Sequence, residues 1–293
     1  MLGERAAKFD AMRVSIGDTR LFVDVEGLGL VPDGTTMRTK PTLILLHGGP
    51  GFDHSSFKPH WSQFTDIVQV VYYDHRGQGR SDRTDPHTWN LQQWAADLVA
   101  LCDALEIVDP IVYGVSFGGM VALQYLIDHP THASRVILDS TTARSDPALM
   151  LPVFERLGGA AARDAAEAFW AEPTPAAMKQ YFERCMPLYS RTTAPDASDR
   201  LTRQLEVANY ELFEQWSRGE QRSFDLTDRL HQVQRPVLLL AGEDDPVCPV
   251  TGAERIAAGI PHARFERFAD CGHGVWRDQP EQAFRMIREF LLD

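Results

Sequence analysis

Residues 114–118 read G-V-S-F-G, which matches the G-x-S-x-G pattern of a nucleophilic serine. In that pattern the serine lies on a sharp turn between a strand and a helix, so that its hydroxyl is exposed. An apolar run, Pro110–Tyr113, precedes the segment, and helical spacing from Phe117 to His129 follows it. Glycines on both sides of the turn keep side chains from colliding with the neighbouring strand and helix. An ordinary glycine-rich turn is the alternative, but this context favours Ser116 as a nucleophile.

A serine hydroxyl is a weak nucleophile and needs a base that a third group orients. His273 stands between two glycines directly after an apolar run, which suits a loop histidine that reaches over the edge of a sheet. Asp245 follows an earlier run, so the chain order is serine, acid, histidine. We predict that Asp245 orients His273, and two alternatives for the acid stay open: the adjacent Asp244, and Asp139 at another predicted strand end.

Acyl transfer also needs N–H donors aimed at the oxygen that becomes negative. Residues 47–51 read H-G-G-P-G and follow the apolar run Thr42–Leu46. Backbone N–H groups face a substrate most easily where side chains are absent, so paired glycines have a clear use here. The predicted donors are the N–H groups of Gly49 and of Phe117.

The elements that position these residues alternate between strands and helices. Short apolar, β-branched runs predict strands that are buried on both faces, as in a parallel sheet covered by helices. The predicted strands are Thr42–Leu46, Val68–Tyr73, Pro110–Tyr113, Val136–Asp139, Val237–Ala241 and Arg264–Phe268. The predicted helices between and after them are Leu91–Leu105 with Asn90 as its N-cap, Phe117–His129, Val250–Gly259 and Pro280–Leu292. The fold class is therefore α/β.

Residues 143–230 interrupt this alternation, because they contain almost no strand-like runs. Their spacing predicts the helices Pro147–Leu157, Ala160–Trp170, Ala176–Cys185 and Leu201–Trp216. The predicted organisation is one discontinuous α/β core, residues 1–142 and 231–293, with residues 143–230 as a helical cap.

Composition excludes several classes of function. Lys and Arg total 29 against 41 Asp and Glu, a net charge of −12, so binding to nucleic acid or to an anionic membrane surface is not expected. No apolar run approaches the length of a membrane helix, and residues 1–10 lack the apolar core of a signal peptide. The spacing of His, Cys, Asp and Glu suggests no metal site, and nothing indicates a cofactor. Four well-separated cysteines, Cys102, Cys185, Cys248 and Cys271, predict free thiols and a cytoplasmic protein.

These motifs together resemble the α/β-hydrolases. The H-G-G-P-G segment and residues 74–81, D-H-R-G-Q-G-R-S, are similar in particular to the prolyl aminopeptidase (proline iminopeptidase) branch. The resemblance implies a mostly parallel eight-stranded sheet, flanking helices and a helical cap over the site. It also implies that Asp74 and Arg76 tie loops together near the site and take no part in catalysis.

The serine motif departs from that branch, and the cap offers candidates for its amine-binding glutamates. Prolyl aminopeptidases typically read G-G-S-W-G at the serine, where this chain has Val115 and Phe117, and their cap glutamates bind the free amine of the substrate. The candidates for that role here share the predicted helix Leu201–Trp216: Glu206, Glu211 and Glu214, with Tyr210, Phe213 and Trp216 as an apolar lining. A solvated amphipathic helix is the alternative.

Three functions follow as hypotheses. The first is a serine hydrolase that releases N-terminal residues from a short peptide, as a prolyl aminopeptidase does. The second is a carboxylesterase or lactonase on the same triad, for example one that cleaves acyl homoserine lactones. The third, a binding protein on an inactive scaffold, is disfavoured because serine, acid and histidine are all present. The oligomeric state is not predicted.

Overall fold

A computed structural model describes residues 12–192 and 197–293. The expectations for residues 1–11 and 193–196 lie outside the described residues. An eight-stranded sheet forms the centre of the molecule, and a separate hairpin of two strands precedes its third strand in the chain. The strands are β1 Met12–Ser15, β2 Arg20–Glu26, β3 Leu30–Asp33, β4 Thr36–Thr39, β5 Thr42–Leu46, β6 Gln69–Tyr73, β7 Ile111–Val115, β8 Arg135–Asp139, β9 Val237–Gly242 and β10 Ala263–Phe268.

The sheet is mostly parallel, which confirms the predicted fold. Its strand order is β1-β2-β6-β5-β7-β8-β9-β10, and every pair from β6 to β10 is parallel. The two strands at the other edge are antiparallel to their neighbours. The strands β7 and β9 are buried along their whole length, as expected for strands that helices cover on both faces.

Helices cover both faces of the sheet and form the segment that interrupts it. They are α1 Leu91–Ala104, α2 Phe117–Asp128, α3 Pro147–Ala171, α4 Pro175–Arg184, α5 Ala197–Val207, α6 Tyr210–Arg218, α7 Val250–Gly259, α8 Val275–Asp278 and α9 Pro280–Leu292. Side chains of α1, α2 and α7 share one apolar cluster with the sheet, and those of α8 and α9 share another. All four cysteines are buried and free.

Residues 143–230, here called the cap segment, contribute no strand to the eight-stranded sheet in their described part. Within α3, Gly159 has a φ of 71° and breaks the helix between the two helices that the sequence predicts there. The single helix predicted over Leu201–Trp216 is wrong, because the structure ends α5 at Val207 and begins α6 at Tyr210. The side chain of Asn209 accepts a hydrogen bond from the N–H of Leu212 and so caps α6.

Asn209 and Tyr189 attach the cap segment to loops that follow strands of the sheet. The N–H of Asn209 donates to the carbonyl of Gly51 at 2.8 Å, and its Nδ2 donates to the carbonyl of Gly77 at 2.8 Å. The carbonyl of Tyr189 accepts a hydrogen bond from the N–H of His273, and the two rings pack edge to face with centroids 5.2 Å apart. The cap segment therefore contacts both the H-G-G-P-G loop and the histidine loop.

No helix in the described part of the chain is long and apolar enough to cross a bilayer.

Candidate active site

The predicted functional residues lie at one edge of the sheet. Parallel strands place their carboxyl ends together, and ligands of open α/β sheets bind outside those ends. The H-G-G-P-G loop follows β5, Ser116 follows β7, Asp245 lies three residues after β9, and His273 lies five residues after β10. The topology thus brings the three predicted catalytic residues and one oxyanion loop to the same edge.

Ser116 occupies a strained turn between β7 and α2. Its φ of 55° and ψ of −120° lie outside the regions that non-glycine residues ordinarily adopt. A Cβ atom at Gly114 would lie 2.4 Å from the carbonyl oxygen of Gly118, and one at Gly118 would lie 2.2 Å from that of Leu46. Only glycine fits at either place, which is the steric reason for the G-x-S-x-G spacing. The turn leaves Ser116 with 9% of its surface exposed.

Asp245 and His273 form a buried pair. Oδ2 of Asp245 accepts a hydrogen bond from Nδ1 of His273 at 2.8 Å. Oδ1 accepts two more, from the N–H groups of Val247 and Cys248, each at 2.8 Å. Asp245 has no exposed surface and His273 has 5%. Because the carboxylate only accepts, it holds the proton of the imidazole on Nδ1 and leaves Nε2 able to take up another.

The two alternative acids have other partners. Asp244 forms ion pairs with Arg156 at 2.5 Å and with Arg191 at 3.3 Å. Asp139 accepts from the hydroxyl of Tyr113 at 2.7 Å and from the N–H of Val275 at 3.1 Å, and burial raises its pKa. Of the three carboxylates, Asp245 is therefore the one in hydrogen-bond contact with His273.

The H-G-G-P-G loop lies against the serine turn. A Cβ atom at Gly48 would lie 3.3 Å from that of Ser116. No described residue accepts a hydrogen bond from the N–H of Gly49 or of Phe117. The N–H of Phe117 belongs to the first turn of α2, where helical N–H groups have no partner within the helix. Both predicted donors are thus available to an oxygen atom of a substrate.

His47 holds the loop from behind, a contact that the sequence does not single out. Its Nδ1 donates to the carbonyl of Gly48 at 2.8 Å, and its Nε2 accepts from the N–H of His75 at 3.2 Å. The ring has no exposed surface, and this burial lowers the pKa of His47. The neutral ring therefore fixes the plane of the peptide that joins Gly48 to Gly49, and with it the direction of the Gly49 N–H. The available signal was the position of His47 at the head of the loop motif.

Asp74 and Arg76 tie buried loops together. Oδ1 of Asp74 accepts from Nδ1 of His54 at 2.6 Å, and Oδ2 accepts from the N–H of Arg80 at 2.7 Å. The guanidinium of Arg76 bonds to both carboxylate oxygens of Asp97, at 2.8 and 2.7 Å. Among the described residues, no group of three or more His, Cys, Asp or Glu side chains could hold a metal ion.

The cap residues predicted to bind substrate are dispersed. Glu206 and Glu211 are exposed, and Glu214 forms an ion pair with Arg218 at 3.0 Å. No hydrogen bond or ion pair joins these three glutamates to Ser116 or to His273 in the described part of the chain.

The aromatic residues predicted beside them occupy three different settings. Tyr210 is 48% exposed, and Phe213 stacks on Phe169 of α3 with ring centroids 5.7 Å apart. Trp216 is buried and packs edge to face on Phe117 with ring centroids 5.2 Å apart. Trp216 therefore supports the residue after the serine from behind.

Comparisons with known proteins identify the family and the fold of the chain. Residues 41–276 match the family described as the alpha/beta hydrolase fold. A proline iminopeptidase of Lactobacillus delbrueckii subsp. lactis is 31% identical over 274 residues, which cover 85% of this chain and 90% of that one. A Caulobacter vibrioides protein assigned as the carbamate hydrolase RutD is 27% identical over 249 residues, again 85% of this chain and 90% of that one. The crystal structure of a Mycobacterium smegmatis proline iminopeptidase, 22% identical, superposes with a TM-score of 0.77 over 96% of this chain and 97% of that one, which shows a shared fold.

Proposed function

The chain belongs to the α/β-hydrolase fold family and is a hydrolase, and from this premise we propose that it is a serine hydrolase that works through an acyl-enzyme. The observation that carries the proposal is the buried Asp245–His273 pair at the sheet edge where the strained Ser116 turn also lies. Nucleophile, base and orienting acid are the three groups that such a reaction requires.

Each of these residues has its own role in the proposed reaction. The Ser116 hydroxyl attacks the carbonyl carbon of the substrate while Nε2 of His273 takes its proton, and Asp245 stabilises the resulting imidazolium. The N–H groups of Gly49 and Phe117 bind the oxyanion, and removal of one such donor costs about 3 kcal/mol of barrier. His273 then gives its proton to the leaving group. Water, deprotonated by the same histidine, hydrolyses the acyl-enzyme.

An activity panel with a covalent probe tests this function. The wild-type protein should hydrolyse p-nitrophenyl acetate and should gain the mass of one phosphonyl group when treated with a fluorophosphonate. Ser116→Ala should lose both properties while its unfolding transition in urea stays unchanged. Turnover at the wild-type rate by Ser116→Ala would end the proposal.

A second candidate is the release of N-terminal proline, which the 31% identity to a proline iminopeptidase favours. It requires a carboxylate for the free amine of the substrate, and Glu211 and Glu214 remain the proposed anchors. Their placement weighs against it, because Arg218 already neutralises Glu214. If they are anchors, Glu211→Gln and Glu214→Gln should raise KM for prolyl p-nitroanilide and leave p-nitrophenyl acetate unaffected. Equal effects on both substrates, or no cleavage of the prolyl amide by the wild type, would exclude this candidate.

We also propose that the cap segment selects the substrate, while residues 12–142 and 231–293 carry the chemistry. The support is that Ser116, Asp245, His273 and the oxyanion donors all lie outside the cap segment, which nevertheless contacts two of their loops.

A further inference from the structure

A groove of about 580 Å³ lies in the cap segment. Its apolar walls come from α4, α5, α6 and the turn after α4. The apolar residues that line it are Pro175, Met178, Phe182, Met186, Leu205 and Tyr210. Pockets that bind small molecules measure about 300–1,000 Å³ and are mostly apolar. The groove is therefore large enough for an apolar chain of a substrate.

The charged residues that line the groove already have partners of opposite sign. Lys179 and Glu183 lie one helical turn apart on α4 with their charged groups 3.8 Å apart. Glu214 pairs with Arg218 at 3.0 Å on α6. All of these side chains are also about half exposed or more, so water solvates them. Among its described lining residues the groove thus offers no unpaired charge for a charged ligand, and it favours an uncharged one.

The groove lies next to a small cavity that borders the H-G-G-P-G loop. Phe182 and Tyr210 also line a second, narrow cavity of about 10 Å³, whose opposite wall is Pro50, Gly51 and Phe52. The ring of Phe52 lies 3.5 Å from the position that a Cβ atom of Gly49 would take. Phe182 and Tyr210 are therefore a wall that the groove shares with the cavity at the loop that carries one predicted oxyanion donor.

From these contacts we propose that the groove binds the apolar chain of an uncharged ester, so that medium-chain esters are the substrate class of this enzyme. The proposal rests on the proposed serine-hydrolase function and adds where the substrate lies. Burial of a methylene group is worth about 0.8 kcal/mol, so each added methylene should raise kcat/KM by up to about 4-fold until the groove is filled. The alkyl chain can belong to the acyl group or to the alcohol of the ester, since in both cases the groove receives the same uncharged hydrocarbon.

Two series of esters distinguish these sources. In the acyl series, p-nitrophenyl acetate, butyrate, hexanoate and octanoate keep one leaving group while the acyl chain lengthens. In the alcohol series, ethyl, butyl and octyl acetate keep one acyl group while the alcohol lengthens. A rise of kcat/KM with chain length in one series supports the proposal and identifies the part of the ester in the groove. A flat response in both series overturns it.

A charge placed in the groove tests whether the groove causes the selectivity. Met178→Glu should lower the octanoate-to-acetate ratio of kcat/KM by about tenfold or more, the equivalent of nearly two methylene groups. The matched control is Gln180→Glu, which adds the same charge to the same helix at an exposed position that does not line the groove. The control should keep the wild-type ratio. An unchanged ratio in Met178→Glu, or an equal fall in both variants, overturns the proposal.

Two measurements keep this test independent of folding and of the catalytic proposal. If Met178→Glu does not fold, Met186→Gln replaces it as the test variant. This substitution changes the groove without adding a charge and should lower the same ratio by a smaller factor. Hydrolysis of p-nitrophenyl acetate that depends on Ser116 would leave the serine-hydrolase function standing even where the chain-length response is flat. Absence of any Ser116-dependent hydrolysis would instead remove the function on which the groove proposal rests.

Discussion

The substitution Asp245→Asn should lock His273 in the wrong tautomer. Oδ1 of Asp245 accepts two backbone N–H groups, those of Val247 and Cys248, at 2.8 Å each. An asparagine will keep its oxygen on that side, since the reversed amide would leave two buried N–H groups unpaired, at about 1–3 kcal/mol each. Its NH2 group then faces Nδ1 of His273, which must accept rather than donate. The proton moves to Nε2, and the ring can no longer take a proton from Ser116.

The expected loss is confined to kcat. The wrong tautomer costs about 10³- to 10⁴-fold in turnover in a triad of this kind, which corresponds to about 4–5.5 kcal/mol of barrier. KM should change little, because Asp245 is fully buried behind the histidine and does not face substrate. Steady-state hydrolysis of p-nitrophenyl acetate, with urea unfolding as a check on the fold, measures both quantities.

The neighbouring residue supplies a matched control. Asp244→Asn makes the same chemical change one residue away, where the carboxylate pairs with Arg156 and Arg191 instead of a histidine. Loss of such outer ion pairs is worth at most about 1 kcal/mol, so its kcat should stay within about 5-fold of the wild type. Asp245→Asn within about 10-fold of the wild type, or Asp244→Asn as inactive as Asp245→Asn, would refute the assignment of the acid.

Three further substitutions probe the surroundings of the site. His47→Gln can keep an acceptor at the position of Nε2 for the His75 N–H but has no N–H at the position of Nδ1, where His47 donates to Gly48. The kcat on p-nitrophenyl acetate should therefore fall by up to about 100-fold with KM spared, and equal changes in both would indicate a packing role. Asn209→Ala removes a helix cap and a buried hydrogen bond and should lower the free energy of unfolding in urea by about 2–3 kcal/mol, whereas Asn209→Ser, which can still cap, should lose less. Burial holds the pKa of His75 well below its usual 6.5, so as the pH falls below about 6.5 the unfolded chain takes up a proton that the folded chain does not, and the free energy of unfolding falls. His75→Phe should reduce the slope of the free energy of unfolding against pH by up to about 1.4 kcal/mol per pH unit. An unchanged slope between pH 5 and 7 would contradict this reasoning.

The site residues could be placed from sequence because their constraints are local. Gly114 must be glycine because a Cβ atom there would collide with the backbone of Gly118 in the same turn, whereas one at Gly118 would collide with Leu46 of the neighbouring strand. Asp245 and His273 each follow an apolar run, and parallel strands end at one edge whatever the side chains are. What the pattern could not decide was which carboxylate meets His273. That choice depends on the two backbone N–H groups that turn Asp245 inward.

In the cap segment, sequence periodicity alone does not predict where the helices end. Helical spacing continues through residue 209, yet the chain breaks there because Asn209 bonds to the carbonyls of Gly51 and Gly77, more than 130 residues away in the chain. Such partners are invisible to a local pattern. The pairing of Glu214 was readable, since Arg218 stands four residues later on the same helix face. The strands β1 and β2 escaped prediction because their polar residues and partial exposure resemble those of loops.

The residues that hold the cap segment against the loops of the site differ from those that line the groove. Asn209 contacts the H-G-G-P-G loop and Tyr189 contacts the histidine loop, so a change at either position disturbs a loop that carries groups with a proposed catalytic role. The groove uses other residues, among them Met178 and Leu205, which make none of those contacts. Substitutions at the groove should therefore change chain-length preference while leaving kcat on a small ester nearly unchanged, whereas substitutions at Asn209 or Tyr189 should lower kcat on every substrate. A cap built in this way can acquire a new substrate without the catalytic loops having to change.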